Sequence, residues 1–141
     1  MPTLLVPVLI AADQILKLWA ERHLDPIPDP FLPGLYLTFV KNTGIAFGLF
    51  KGSGATLGWL SLGVGALILA YLGFVRVPAG RAFALSLIAA GAIGNAIDRI
   101  GRGYVVDYLD IGPGLWPVFN LADALVVIGA GVLLVAGPRR R

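Results

Sequence analysis

The sequence predicts an all-α integral membrane protein, four transmembrane helices carrying a small extracytoplasmic β element. Three observations predict it. Hydrophobic residues make up 57% of the 141 residues and charged residues 13%, against roughly 25% charged in a soluble domain. Four apolar segments approach the roughly 20 residues that a helix needs to cross a bilayer. Between the first two lies DPIPDPFLPG, whose prolines forbid a helix, followed by LYLTFVKNTGIAFGLF, whose aromatic and β-branched residues suit short strands. The whole chain, 1–141, is read as one membrane domain.

The first span is expected at about 3–22, as a retained helix rather than a cleaved leader, because no basic segment precedes it and no small-x-small site follows. It carries Asp13 and Lys17, four apart and therefore on one face, where they neutralise each other. The β element follows at about 24–54, its aromatics placed at the membrane interface. The second span, about 55–75, has no Asp, Glu, Lys, Arg or His. Its Gly58, Ser61, Gly65 and Ala66 permit close helix approach. A basic turn, Arg76 to Arg81, leads into the third span at about 82–98, whose packing face is Ala89, Ala90, Gly91 and Gly94. An outer loop is expected at 99–117, with turn signals at Gly101, Gly103 and Pro113. The fourth span runs at about 118–137, ahead of Arg139, Arg140 and Arg141. Four spans put both termini on one side, together with the Arg76 to Arg81 turn, and the positive-inside rule makes that side cytoplasmic.

Composition excludes several chemistries. No cysteine is present, so there is no thiolate metal site and no cysteine nucleophile, and the single His23 cannot form a multi-histidine zinc site. The net charge of +3 owes much to the terminal arginines, a topology signal rather than a nucleic-acid face. Neither metal nor cofactor is expected.

What remains is a set of carboxylates where carboxylates are costly. An Asp at the centre of a membrane helix costs about 2.5 to 3.5 kcal/mol, which makes such residues functional candidates. Asp107, in the outer loop, and Asp123, one and a half turns into the fourth span, fall at similar depth. Two converging carboxylates share one proton, so one can activate a water while the other protonates a leaving amine. Asn120 lies three before Asp123, and Asn95 three before Asp98, each pair on one helix face, where amides can orient a peptide. Arg99 suits a carbonyl or a phosphate near the headgroups. The competing structural readings are that Asp123 pairs with Lys17, that Asp107 caps its loop, that Asp110 is a solvated loop charge, and that Asp98 caps its helix beside Arg102. Asp13 and Lys17 read as scaffold for the site. A proton-coupled transporter using Asp13, Asp107 and Asp123 is the alternative function, and a structural subunit a third.

Five short motifs in this order resemble one family, the bacterial lipoprotein signal peptidases, or signal peptidase II. They are Asp13, Gln14 and Lys17; Asn42, Gly44, Ala46 and Phe47; Gly91, Gly94, Asn95, Asp98 and Arg99; Gly103, Val105, Val106 and Asp107; and Phe119, Asn120, Ala122 and Asp123. Leu16, Ala90 and Tyr108 depart from the family's usual residues. The resemblance implies catalysis by Asp107 and Asp123, with Asn42, Gly44, Asn95, Arg99 and Asn120 positioning substrate and Asp13, Lys17 and Asp98 supporting the site. It also implies a diacylglyceryl-modified prolipoprotein substrate cut just before its lipidated cysteine, contact with membrane lipid, and inhibition by globomycin-type cyclic peptides. The place would be the bacterial inner membrane with the site near its outer face. A complete site in one chain makes a monomer sufficient.

Overall fold

The computed structural model describes residues 2–44, 52–112 and 114–136. Residues 45–51 of the expected β element, including Ala46 and Phe47, lie outside the described residues, as do Pro113, Gly137 and the Arg139 to Arg141 tail.

A 3-10 turn at Pro2–Leu4 leads into α1 (Leu5–His23). Pro7 falls in the first helical turn, where the missing N–H has no intrahelical partner to lose. Only Val6, Asp13, Lys17 and Ala20 of α1 are buried, a single stripe turned inward. Two strands follow, β1 (Asp29–Leu32) and β2 (Leu35–Asn42). Then come α2 (Gly54–Phe74), α3 (Ala79–Arg102), β3 (Val105–Asp110) and α4 (Leu121–Val135). The strands form one antiparallel sheet in the order β1-β2-β3, with Val40 opposite Asp107 and Asn42 opposite Val105.

The helix from Pro2 to His23, α2 and α3 contain 22, 21 and 24 residues and are long and apolar enough to cross a membrane, whereas α4 has 15 described helical residues. α3 is the central element, packed against α1, α2 and α4. Its small residues make that possible. A methyl group at Gly91 would collide with the Ala122 carbonyl of α4, and one at Gly94 would stand 2.7 Å from Asp13 Oδ2 of α1. Two apolar clusters result. Val6, Leu87, Ala90 and Leu125 join α1, α3 and α4, and Ala20, Val106 and Tyr108 seal the sheet onto the end of α1.

Several expectations are corrected. The loop predicted at 99–117 contains β3, so Asp107 stands on a strand. All but one of the residues of β3 are buried, and a strand buried on both faces loses the alternation that announces one. α3 continues past Asp98 to Arg102, where Gly103 in the left-handed conformation (φ 80°) ends it. α4 begins at Leu121 rather than Val118, which puts Asp123 in its first turn. Asp110, expected in solvent, is 4% exposed and accepts the Gly112 N–H at 2.9 Å.

Candidate active site

α4 starts at Asn120 because this residue is its cap. Asn120 Oδ1 accepts the Asp123 N–H at 2.9 Å, and Asp123 Oδ2 accepts the Asn120 N–H at 3.3 Å, a reciprocal capping box. The other two leading N–H groups of the helix find side chains from elsewhere in the chain. Leu121 donates to the Tyr108 hydroxyl at 3.3 Å, and Ala122 donates to Asp13 Oδ1 at 3.0 Å. Side chains of α1, β3 and the segment before α4 thus hold the turn that carries Asp123.

Asp107 is brought to the same place by β3. Asn120 Nδ2 donates to its Oδ1 at 2.8 Å, and Asn42 Nδ2, across the sheet on β2, donates to its Oδ2 at 3.0 Å. Asn42 is itself fixed, since its Oδ1 accepts the Gly44 N–H at 3.0 Å. Asn95 Nδ2 of α3 donates to Asp123 Oδ1 at 2.7 Å. Two asparagines therefore link the carboxylates, Asn120 touching both and Asn95 touching Asp123 and Asn120. Asp107 is 1% exposed. Burial, and next the charge of Asp123, push its carboxyl from 3.8 up to about 7.

Beneath the pair lies a fully buried ion cluster. Lys17 Nζ contacts Asp13 Oδ2 at 2.8 Å and Asp98 Oδ2 at 3.2 Å. Asp98 also accepts Arg102 Nη1 at 2.7 Å and the Val106 N–H at 3.0 Å, which ties α3 to β3. Removing one partner of such a cluster leaves a buried charge uncompensated, at about 3 to 5 kcal/mol. Arg99 Nη2 donates to the Gly44 carbonyl at 2.9 Å, while its Nε is buried with no hydrogen-bond partner among the described residues. Every predicted site residue, Asp13, Lys17, Asn42, Gly44, Asn95, Asp98, Arg99, Asp107, Asn120 and Asp123, thus belongs to one connected network.

Two cavities reach the network. One of about 510 Å³ between α2, α3 and α4 is bordered by Asn42, Asn95, Arg99 and Asp123 along with apolar residues such as Leu60 and Val126. The other, about 260 Å³, is lined by Ile111, Trp116, Phe119, Val127 and Ile128, again with Asp123. Asp123 borders both.

A sequence model of the family described as Signal peptidase (SPase) II matches residues 5–137. The chain belongs to the signal peptidase II family. Its relatives include the lipoprotein signal peptidases of Synechocystis sp., 40% identical over 90% of this chain and 81% of that protein, and of Deinococcus radiodurans, 43% identical over 99% and 81%. The lipoprotein signal peptidase of Halothermothrix orenii is 39% identical over 94% of this chain and 91% of its own. Two structures of a bacterial membrane enzyme obtained by the in meso method, at 2.3 Å and 1.9 Å, share the fold. The first has a TM-score of 0.84 at 26% identity, covering 96% of this chain and 85% of that one. The second has a TM-score of 0.83 at 25% identity, covering 99% and 94%.

Two further residues of this signal peptidase II chain, Gln14 of the first motif and Tyr108, enter the network although the sequence assigned neither of them a role at the site. Gln14 Nε2 donates to the Gly94 carbonyl and to Asp98 Oδ1, both at 3.1 Å, pinning α1 to α3. Tyr108, seen only as a departure from the family's usual residue, puts its hydroxyl on the first N–H of α4. Burial raises its phenol above the ordinary range, so it stays protonated. A hydroxyl in a buried strand needs a partner, and that requirement was the available signal.

Proposed function

We propose that this signal peptidase II chain removes the signal peptide from diacylglyceryl-modified prolipoproteins, cutting just before the lipidated cysteine with a water held between Asp107 and Asp123. The observation that carries the reading is the hydrogen-bonded pair itself: two aspartates joined through Asn120 and Asn95, with Asp123 open to both cavities. At neutral pH such a pair keeps one proton. The charged carboxylate takes a proton from water as its oxygen attacks the scissile carbonyl. The protonated one gives its proton to the cysteine nitrogen as the C–N bond breaks. The products are a signal peptide with a free carboxylate and a lipoprotein with a free amine. Arg99 Nε, without a hydrogen-bond partner among the described residues, is a donor for a substrate carbonyl.

Two apolar cavities meeting at Asp123 suit a substrate with two apolar arms, a signal-peptide helix and a diacylglyceryl group. In this reading α1 to α4 all span the inner membrane, both termini are cytoplasmic, and the sheet and site lie at the outer face. A lipid-bearing substrate then arrives sideways through the bilayer to a monomeric enzyme. A globomycin-type cyclic peptide would compete for the same cavities. Proton-coupled transport fits less well, because Asp107 and Asp123 sit in one network instead of being staggered along a path.

The test is cleavage of a diacylglyceryl-modified prolipoprotein by the purified protein in detergent, beside its Asp123→Asn variant and an unlipidated substrate. Cleavage of the lipidated substrate by the unaltered protein alone is expected. Failure of the folded protein to cut, or equal cutting by Asp123→Asn, overturns the reading.

A further inference from the structure

The two aspartates are held by a chain of donors that starts outside the pair, at Lys17. An ammonium only donates, and it has three hydrogens. Lys17 has three acceptors for them: Asp13 Oδ2 at 2.8 Å, Asp98 Oδ2 at 3.2 Å and Asn95 Oδ1 at 3.0 Å. A second donor, Asn120 Nδ2, reaches the same Asn95 oxygen at 3.1 Å. Asn120 cannot turn over, because its own oxygen accepts the Asp123 backbone N–H. With two donors on Oδ1, the Asn95 amide has one admissible orientation, and its Nδ2 faces Asp123 Oδ1 at 2.7 Å. Reversed, it would set an NH2 group against the ammonium and an oxygen against a carboxylate.

The two carboxylates differ in what surrounds them. Asp123 is half-buried, borders both cavities and sits at the third position of α4, where the positive end of the helix favours an anion. It also accepts the Asn120 backbone N–H. Asp107 is fully buried and lines neither cavity. The charged or titratable groups around Asp123 are Arg99 and Asp98 from α3, Asp107 and Tyr108 from β3, and Asp13 and Lys17 from α1. α2 has no Asp, Glu, Lys, Arg or His.

We propose that Lys17, acting through Asn95, keeps Asp123 the anion of the pair and leaves the shared proton on Asp107. Asp123 is then the base that takes a proton from water, and Asp107 the acid that gives one to the leaving amine. The assignment rests on the peptidase reading above. Lys17 touches no substrate and is a positioning residue.

The experiment is the pH profile of kcat/KM for cleavage of a lipidated prolipoprotein. A paired variant, Lys17→Met with Asp13→Asn, removes the ammonium without leaving Asp13 charged, and Asp98 keeps Arg102 at 2.7 Å. Its acid limb is expected to rise by about one pH unit, the effect of losing one well-aligned hydrogen bond to a carboxylate. Asn95→Ala is expected to move the limb by the same amount, and to add nothing when combined with the paired variant. A purely structural role would lower kcat at every pH and leave the limb in place. Because the proposal runs from Lys17 to Asp123 by way of Asn95, a folded Asn95→Ala protein with an unmoved limb overturns it whatever the paired variant does. An unmoved limb in the folded paired variant does the same. Absence of any cleavage by the unaltered protein would instead fell the peptidase reading and take this assignment with it.

Discussion

Replacing Asp107 by Asn is expected to abolish cleavage and, at pH 8, to stabilise the fold. Burial and the Asp123 charge raise the Asp107 carboxyl from 3.8 to about 7, so the proton is held more tightly in the folded protein than in the unfolded chain. The stabilisation this gives is complete below pH 3.8 and is lost as the pH rises through about 7. At about 1.4 kcal/mol per pH unit, the swing between 3.8 and about 7 amounts to about 4 kcal/mol. An amide carries no charge and escapes it. The amide is an imperfect replacement, however, because Asp107 accepts hydrogen bonds from both Asn42 and Asn120. One of them would meet an NH2 group, at about 1 to 3 kcal/mol. The variant should therefore be less stable than the unaltered protein at pH 4 and more stable at pH 8, by about 1 to 3 kcal/mol each way. Thermal unfolding in detergent at the two pH values measures this. A variant that is less stable at both values refutes the claim that the buried charge dominates at Asp107, and one that cleaves substrate removes Asp107 from the chemistry.

Three further outcomes are expected. Gly94→Ala would bring a methyl group to 2.7 Å from Asp13 Oδ2, on a carboxylate that Lys17 holds at this oxygen and the Ala122 N–H at the other; a loss of about 1 to 3 kcal/mol and a lower kcat should follow. Gly101→Ala on the same helix meets nothing within 4 Å, and equal or raised thermal stability there makes it the control. Asn120→Ala removes the cap of α4 and a donor to Asp107; unfolding should show a loss of about 1 kcal/mol or more, and turnover should fall at least tenfold with KM little changed.

Helix positions were legible because apolar length and small-residue patches act locally. So was the inward face of α1, where Asp13 and Lys17 at a spacing of four could share one side. β3 was not, since a strand buried throughout carries no alternation and here lies between turn signals. The pattern of Asn120 followed three residues later by Asp123 was read as one helix face, when it is the reciprocal cap that starts α4. That misreading placed Asp123 a turn too deep. The contact from Asp13 to the Ala122 N–H spans 109 positions, and no local pattern announces it. Nor does anything local distinguish Gly94, made necessary by a carboxylate on another helix, from Gly101, which faces open space.

The four side chains that cap α4 have a consequence for biosynthesis. Asp13 emerges early from the ribosome, Tyr108 late, and Asn120 and Asp123 later still. The first turn of α4 is held only when all of them are present, so a nascent chain that has not yet delivered its last helix has no organised aspartate pair. On the proposed reading, the catalytic pair is therefore complete only once the first turn of α4 has docked against Asp13 and Tyr108.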